Sequence, residues 1–233
     1  HGSLDPDQIK KTDRTRLVPD IYREITLGRR SIRQYRPQAV PADVIANILD
    51  LASHSPTASN RQNVGYTVIT DKTSLNAISK SVFGVARWLH AQTRAGVGQW
   101  IYRLFKMVSP ANDLDRYLGP MDYYVAESDK GRDYVLHNAP VLILAHGPRK
   151  GPFHCENCNI AAANIMNYAH ANGLGTCYIG FLCIALKLSR KLRGQVQVPN
   201  GRKVYACIVM GYPAYRHNYT ASRKKPAIQW IGS

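Results

Sequence analysis

No run of apolar residues in this chain is long enough to span a bilayer, and no charged segment followed by an apolar one stands near its start. Both absences point to a soluble protein of the cytoplasm with no membrane partner. Cysteine is sparse: Cys155, Cys158, Cys177, Cys183 and Cys207 are odd in number and gathered in the last third of the chain. Such a set is a poor disulfide framework, so free thiols in a reducing compartment are expected. Internal repeats and low-complexity segments are lacking too, which leaves a compact fold as the reading. Acidic residues are few, 15 Asp and Glu against 31 Lys and Arg, for a formal charge of +16. A field of that sign attracts anions. Nucleic acid, a phosphorylated group and an acidic protein partner all qualify. The basic residues are scattered, however, and no helix-turn-helix, RNA-recognition or zinc-finger signature accompanies them, so no nucleic acid is expected.

What is present suffices for one core: 233 residues, 45% of them hydrophobic. His1-Gly2-Ser3 reads as the remnant of a removed affinity tag, and residues 1–19 as that remnant plus a polar extension. A single domain is expected over 20–233. Its first helix spans Asp20 to Leu27, with Ile21, Ile25 and Leu27 turned inward, and breaks at Gly28. A second follows Pro41, where Val44, Ile45, Ile48, Leu49 and Ala52 form one stripe, and it ends before Ser55-Pro56. Tyr66 to Thr70 reads as a strand, and Asp71 to Lys80 as a helix capped by Asp71 or Thr73. The aromatic-rich stretch at about 82–129 has weak periodicity and is expected to form short helices and loops over a pocket. Its aromatics make either a lid or a small core of their own. Ala139 to Ala145 is a strand buried on both faces, and Cys158 to Ala171 a helix stopped at Asn172-Gly173. Thr176 to Ile179 is extended, Leu186 to Leu192 a short helix, and Val204 to Met210 a last buried strand. Strands interleaved with helices give an α/β or α+β sheet with helices packed on it.

Four segments carry chemical information. Arg29-Arg30-Ser31-Ile32-Arg33 places three guanidinium groups and a hydroxyl after a glycine, a set that pairs with phosphate and that in isolation also describes a solvated basic turn. Ser55-Pro56-Thr57-Ala58-Ser59-Asn60-Arg61-Gln62 is a wall of small residues ending in two amides, suited to a flat ring with imide edges and equally to an ordinary loop. Gly173-Leu174-Gly175 followed by Thr176 to Phe181 lets backbone approach a ligand, or simply caps a helix and starts a strand. Gly211-Tyr212-Pro213 leads to Arg216 and to Ser222-Arg223-Lys224-Lys225, a second basic cluster. The pair Cys155 and Cys158 lacks the second spaced pair that zinc needs, and no metal site is expected. His54, His90 and His137 are isolated.

In this order and at these separations, the four segments resemble the FMN-dependent nitroreductase family over Ile21 to Pro226. The stretch from Lys130 to Ala145 and the Gly-Leu-Gly-Thr-Cys run are most similar to the anaerobe-type branch, whose members are often joined to an N-terminal ferredoxin module. No cluster-binding cysteine repeat is found here, so that module is either lacking or removed. The resemblance implies an α+β fold, a mostly antiparallel sheet flanked by helices, assembled as an intertwined homodimer with FMN at the interface. It implies that Arg29, Arg30, Ser31 and Arg33 hold the phosphate, the ribityl chain and the N1/O2 edge of the ring. Pro56, Thr57, Ala58 and Asn60 would come from the partner subunit. Tyr178, Ile179 and Gly180 would flank N5, and Arg216, Arg223 and Lys224 would return to the phosphate. Glu156 stands where some relatives place a glutamine contact. Two departures stand out: Asn63-Val64 follows the glutamine where many members have Pro-Trp, and the 82–129 stretch matches no shared motif.

The implied activity is ping-pong reduction of a nitroarene, quinone or similar electron-poor aromatic acceptor. The donor would be NAD(P)H or a reduced ferredoxin or flavodoxin, and the flavin supplies the difficult chemistry. Arg33 is the candidate for the positive charge near N1. The same fold also serves dehalogenation and flavin cleavage in other members. A reading of another class remains beside these: a basic, non-catalytic module that binds nucleic acid or an acidic protein.

Overall fold

A computed structural model describes residue 9, residues 11–94 and residues 121–232. After a 3-10 turn at Arg14–Arg16 come α1 (Pro19–Gly28), α2 (Ala42–Ser53), β1 (Gly65–Ile69), α3 (Lys72–Arg94) and α4 (Met121–Asp129). They are followed by β2 (Val141–Pro148), α5 (His154–Ala171), β3 (Gly175–Tyr178), α6 (Gly180–Leu188), α7 (Arg190–Gln195) and β4 (Arg202–Gly211). The described strands form one sheet in the order β1-β2-β4-β3, antiparallel at every step. The α+β architecture that the resemblance implied is therefore present.

Both faces of this sheet are covered, which is why its central strands read as continuous apolar runs. Side chains alternate across a strand. Val141, Ile143 and Ala145 of β2, with Ala206, Ile208 and Met210 of β4, accordingly pack under α2 and α5. Their neighbours Leu142, Leu144, Cys207 and Val209 pack under α3, α6 and α7. The α2 stripe behaves as its spacing predicts, with Ile45, Ile48 and Ala52 buried. Asp71 accepts from the Ser74 N–H at 2.7 Å and caps α3. Gly173, at φ 74°, ends α5 with Leu174 N–H donating to the Ala169 carbonyl, the six-to-one closure of a glycine-terminated helix.

Three expectations need correction. The helix expected to stop at Lys80 runs on to Arg94, because Leu75, Ile78, Val82, Phe83 and Ala86 continue one buried stripe. Of the aromatic stretch, residues 82–94 thus belong to α3 and 121–129 to α4; the rest, with Trp100, Tyr102, Phe105 and Tyr117, lies outside the described residues. Tyr123, Tyr124 and Tyr134 make an aromatic cluster with centroids 5.4–5.9 Å apart. The single helix expected at Leu186 to Leu192 is two, since Ser189 leaves helical geometry and its hydroxyl accepts from Leu192 N–H at 3.2 Å to cap α7. Lastly, α1 turns nothing fully inward: Ile21 is 59% and Leu27 40% exposed. No described helix is long and apolar enough to cross a membrane.

Candidate functional site

The arginine-rich segment after α1 is stitched to the sheet by backbone hydrogen bonds and seated by the buried Ile32 and half-buried Tyr35 side chains. Ser31 bridges Thr176 in parallel sense and Ile32 N–H donates to the Thr176 carbonyl at 2.9 Å. Farther on, Arg36 N–H donates to Tyr212 and Ala214 N–H to Gln34, each at 2.9 Å. Two glycines make room for this strip. A β-carbon on Gly175 would lie 2.7 Å from Ile32 Cγ1, and one on Gly211 would lie 2.6 Å from Pro140 Cδ and 2.9 Å from Tyr35 Cδ1. Tyr35 locks the strip from within, its hydroxyl donating to the Ile32 carbonyl at 2.6 Å, and burial raises its pKa above the ordinary phenol range. Sequence alone suggests a close backbone approach to a ligand at Gly173-Leu174-Gly175, and for Gly211 no role beyond leading to the second basic cluster; in the fold, Gly175 and Gly211 both admit the arginine strip.

This stitching brings Arg29 and Arg30 beside Arg216 in a cleft of about 170 Å³, shared with Gly28, Ile32, Gly173, Gly175 and Thr176 among others. No carboxylate among the described residues lines it. Thr176 is 1% exposed and its hydroxyl has no hydrogen-bond partner among the described residues. A buried hydroxyl without a partner is costly and points to a missing polar ligand. His170 forms one wall against Gly28; burial first, then the Arg29 guanidinium, lower its pKa and hold it neutral.

Pro56, Thr57, Ala58 and Asn60 do not line this cleft. They form a taut loop whose Ser59, Asn60 and Gln62 take left-handed φ values of 53°, 48° and 47°. Each such residue costs about 1–2 kcal/mol unless something holds it. The loop is held by α5. Ala58 N–H donates to Asn157 Oδ1 at 3.1 Å, and Asn164 donates to the Ser55 hydroxyl at 2.9 Å. Within the loop, Gln62 N–H donates to Thr57 Oγ1 at 2.9 Å and Gln62 Nε2 to Asn60 Oδ1 at 3.2 Å.

The other expected residues are dispersed around these two features. Ser31 and Arg33 are exposed on the strip, Arg33 close enough to Cys177 and His137 to bias both titrations. Tyr178 turns its hydroxyl away, toward Asn159 Oδ1 at 2.9 Å and the Tyr205 carbonyl at 3.1 Å. Ile179 is buried and its N–H is spent on the Cys207 carbonyl at 2.8 Å. Gly180, exposed at the start of α6, keeps an N–H that no turn of that helix can use. Arg223 and Lys224 lie exposed in the extended tail beyond the stitch, outside the cleft, with Arg223 donating to the carbonyl of Ser222. Sequence reasoning missed His170 and Asn157, which only the packing of α5 brings to the cleft and the loop. It also set aside His137, whose φ of 58° and burial beside Arg33 carry no signal in the sequence.

Comparison with known proteins places the chain in a family. The model of the nitroreductase family matches residues 26–212. A nitroreductase from Bacteroides fragilis, solved with bound FMN, is similar at 20% identity and a TM-score of 0.65, over 91% of this chain and 98% of that one. Iodotyrosine deiodinase bound to FMN and 3-iodo-L-tyrosine is similar at 15% identity and a TM-score of 0.63, over 91% and 99%. The FMN-dependent nitroreductase of Mycobacterium smegmatis in complex with NADPH is similar at 20% identity and a TM-score of 0.57, over 84% and 88%. Among curated protein sequences nothing matches.

Proposed function

Because the chain belongs to the nitroreductase family, a family of flavin-dependent oxidoreductases, we propose that it binds FMN and reduces electron-poor aromatic acceptors such as nitroarenes and quinones. The observation that carries this is the meeting of Arg29, Arg30 and Arg216 around the partnerless Thr176 hydroxyl in a cleft without carboxylates. That lining fits a phosphate and the hydroxyls of a ribityl chain.

The residues divide the work by position. Arg29, Arg30 and Arg216 bind the phosphate; Arg223 and Lys224 add only to the surrounding field, since they stand outside the cleft. Ser31 donates to the ribityl chain and Arg33 holds positive charge at the N1/O2 edge of the ring. Gly180 offers its N–H toward N5, with Tyr178 and Ile179 fixing the backbone that presents it. At about 170 Å³ the cleft falls below the size of sites that enclose a whole cofactor. The ring therefore needs a second copy of the chain, whose Pro56, Thr57, Ala58 and Asn60 complete the wall, and the working unit is a homodimer. When bound, FMN supplies hydride or electron transfer between an NAD(P)H or reduced ferredoxin or flavodoxin donor and the acceptor. One shared face for both makes the kinetics ping-pong.

Purified protein should carry one FMN per subunit, and NAD(P)H with a nitroarene should give parallel double-reciprocal lines. Colourless protein that takes up no added FMN would refute this reading. The likeness to iodotyrosine deiodinase favours a second one, reductive dehalogenation of a halogenated aromatic on the same cofactor; halide release, set against nitro reduction, separates the two.

A further inference from the structure

A second and larger basic cleft lies at the other end of the sheet. Arg149, Lys187, Arg190, Arg193, Arg202 and Lys203 line a concavity of about 610 Å³. It sits where α6 and α7 meet the start of β4, whereas the arginine cleft lies at the end of that strand. Ten residues of β4 separate the two clefts by on the order of 30 Å. No carboxylate lines the larger one, and no ion pair is found for any of its six cations among the described residues.

Three of these cations are fixed in place without being neutralised. Arg193 Nη1 donates to the Leu186 and Lys187 carbonyls at 2.8 and 3.1 Å, leaving Nε and Nη2 unused among the described contacts. Arg202 donates to His146 Nδ1 at 2.6 Å and, through Nη2, to the Asn63 and His146 carbonyls at 2.6 and 2.9 Å, leaving Nη1. Lys203 lies 5.3 Å from the centroid of the Tyr205 ring. Fixed cations with spare donors lose little entropy on meeting an anion. The rest of the lining is Gly194, Asn200 and Gly201 with the apolar Leu186, Val196, Val198, Pro199 and Val204, among which Val198 and Pro199 offer the accessible apolar surface. Arg190 also lines the adjoining hollow, which exposes the Trp88 side chain.

We propose that this cleft binds a nucleoside polyphosphate, its phosphates held by the six cations and its base against the apolar surface of Val198 and Pro199. Concavity favours a small ligand over the flat face of an acidic protein, and the volume is that of small-molecule sites. That apolar surface favours a ligand with a heterocycle over a bare anion.

The test is calorimetric titration of ATP and of pyrophosphate into the FMN-loaded protein, whose flavin site is already filled. We expect one ATP per chain, binding more tightly than pyrophosphate and weakening steeply with salt. Lys187→Glu/Arg190→Glu should weaken ATP binding at least tenfold with FMN content unchanged. Lys11→Glu/Lys72→Glu, the same charge change elsewhere, should alter it less than twofold. Absence of saturable binding, equal weakening in both double variants, or pyrophosphate binding as tightly as ATP would each overturn the proposal. So would capture only of an acidic protein or an oligonucleotide.

Discussion

Gly175 and Ile32 touch so closely that a β-carbon on the glycine would lie 2.7 Å from the isoleucine Cγ1. The contact seats the arginine strip on β3. Gly175→Ala should push the strip outward, cost about 1–3 kcal/mol of stability and lower FMN affinity, read by thermal melting and flavin fluorescence titration. Gly84→Ala is the control: nothing lies within 4 Å of its added methyl, and a helix interior should gain about 0.5–1 kcal/mol. Equal FMN affinities in the two variants would count against the strip's role.

Cations inside and outside the cleft make different predictions. Arg30→Glu and Arg216→Glu, both in the cleft, should each weaken FMN by roughly fiftyfold or more, about 2.5 kcal/mol. Arg223→Glu, outside it, should change affinity less than threefold at moderate salt. A larger loss at position 223 than at 216 would reverse the assignment.

Asn157 reaches the small-residue loop through one hydrogen bond, to Ala58 N–H at 3.1 Å. Asn157→Ala should destabilise the fold by about 1–2 kcal/mol and release the left-handed run at Ser59 and Asn60. If that loop completes the neighbouring subunit's site, FMN affinity falls while subunits lacking FMN still associate. Sedimentation and flavin content, measured together, check this.

Ile21, Tyr22 and Leu27 leave an exposed apolar face on α1, where the second copy of the proposed homodimer would pack. Ile21→Glu should give a monomer with unchanged far-UV circular dichroism and little bound FMN. A dimer of normal flavin content would remove α1 from the interface.

His137 gives a pH signature. Burial, followed by the opposing influence of Asp133 and then by Arg33, brings its pKa down to about 4 from 6.5. The unfolded chain takes a proton that the folded one refuses, so stability is full above about pH 6.5 and is lost as pH falls toward 4. Unfolding free energies from urea titrations at pH 7 and pH 4.5 should differ by up to about 2 kcal/mol from this group. His137→Asn, which tolerates the left-handed backbone, should remove that part of the slope.

Much of this molecule was legible locally. Helix and strand identities follow from periodicity and capping: the stripe of Ile45, Ile48 and Ala52, the Asp71 cap and the alternation of β2 and β4 all act within a few residues of one another. The anion-pairing capacity of Arg29 and Arg30 belongs to their guanidinium chemistry, as the suitability of Gly173 and Gly175 for close approach belongs to their lack of a β-carbon.

Tertiary structure alone decided which distant groups meet. That Arg216 rather than Arg223 reaches the cleft follows from where the strip's bonds to Tyr212 and Ala214 end. Ile21, Tyr22 and Leu27 of α1 stay exposed because α5, which meets this helix, leaves them uncovered. The second basic cleft gathers Arg149 from the loop after β2, Lys187 from α6 and Arg202 from β4. Local pattern determines which face of an element is apolar, but only the closing of the sheet sets which loop ends share a place, and charge acts through that distance.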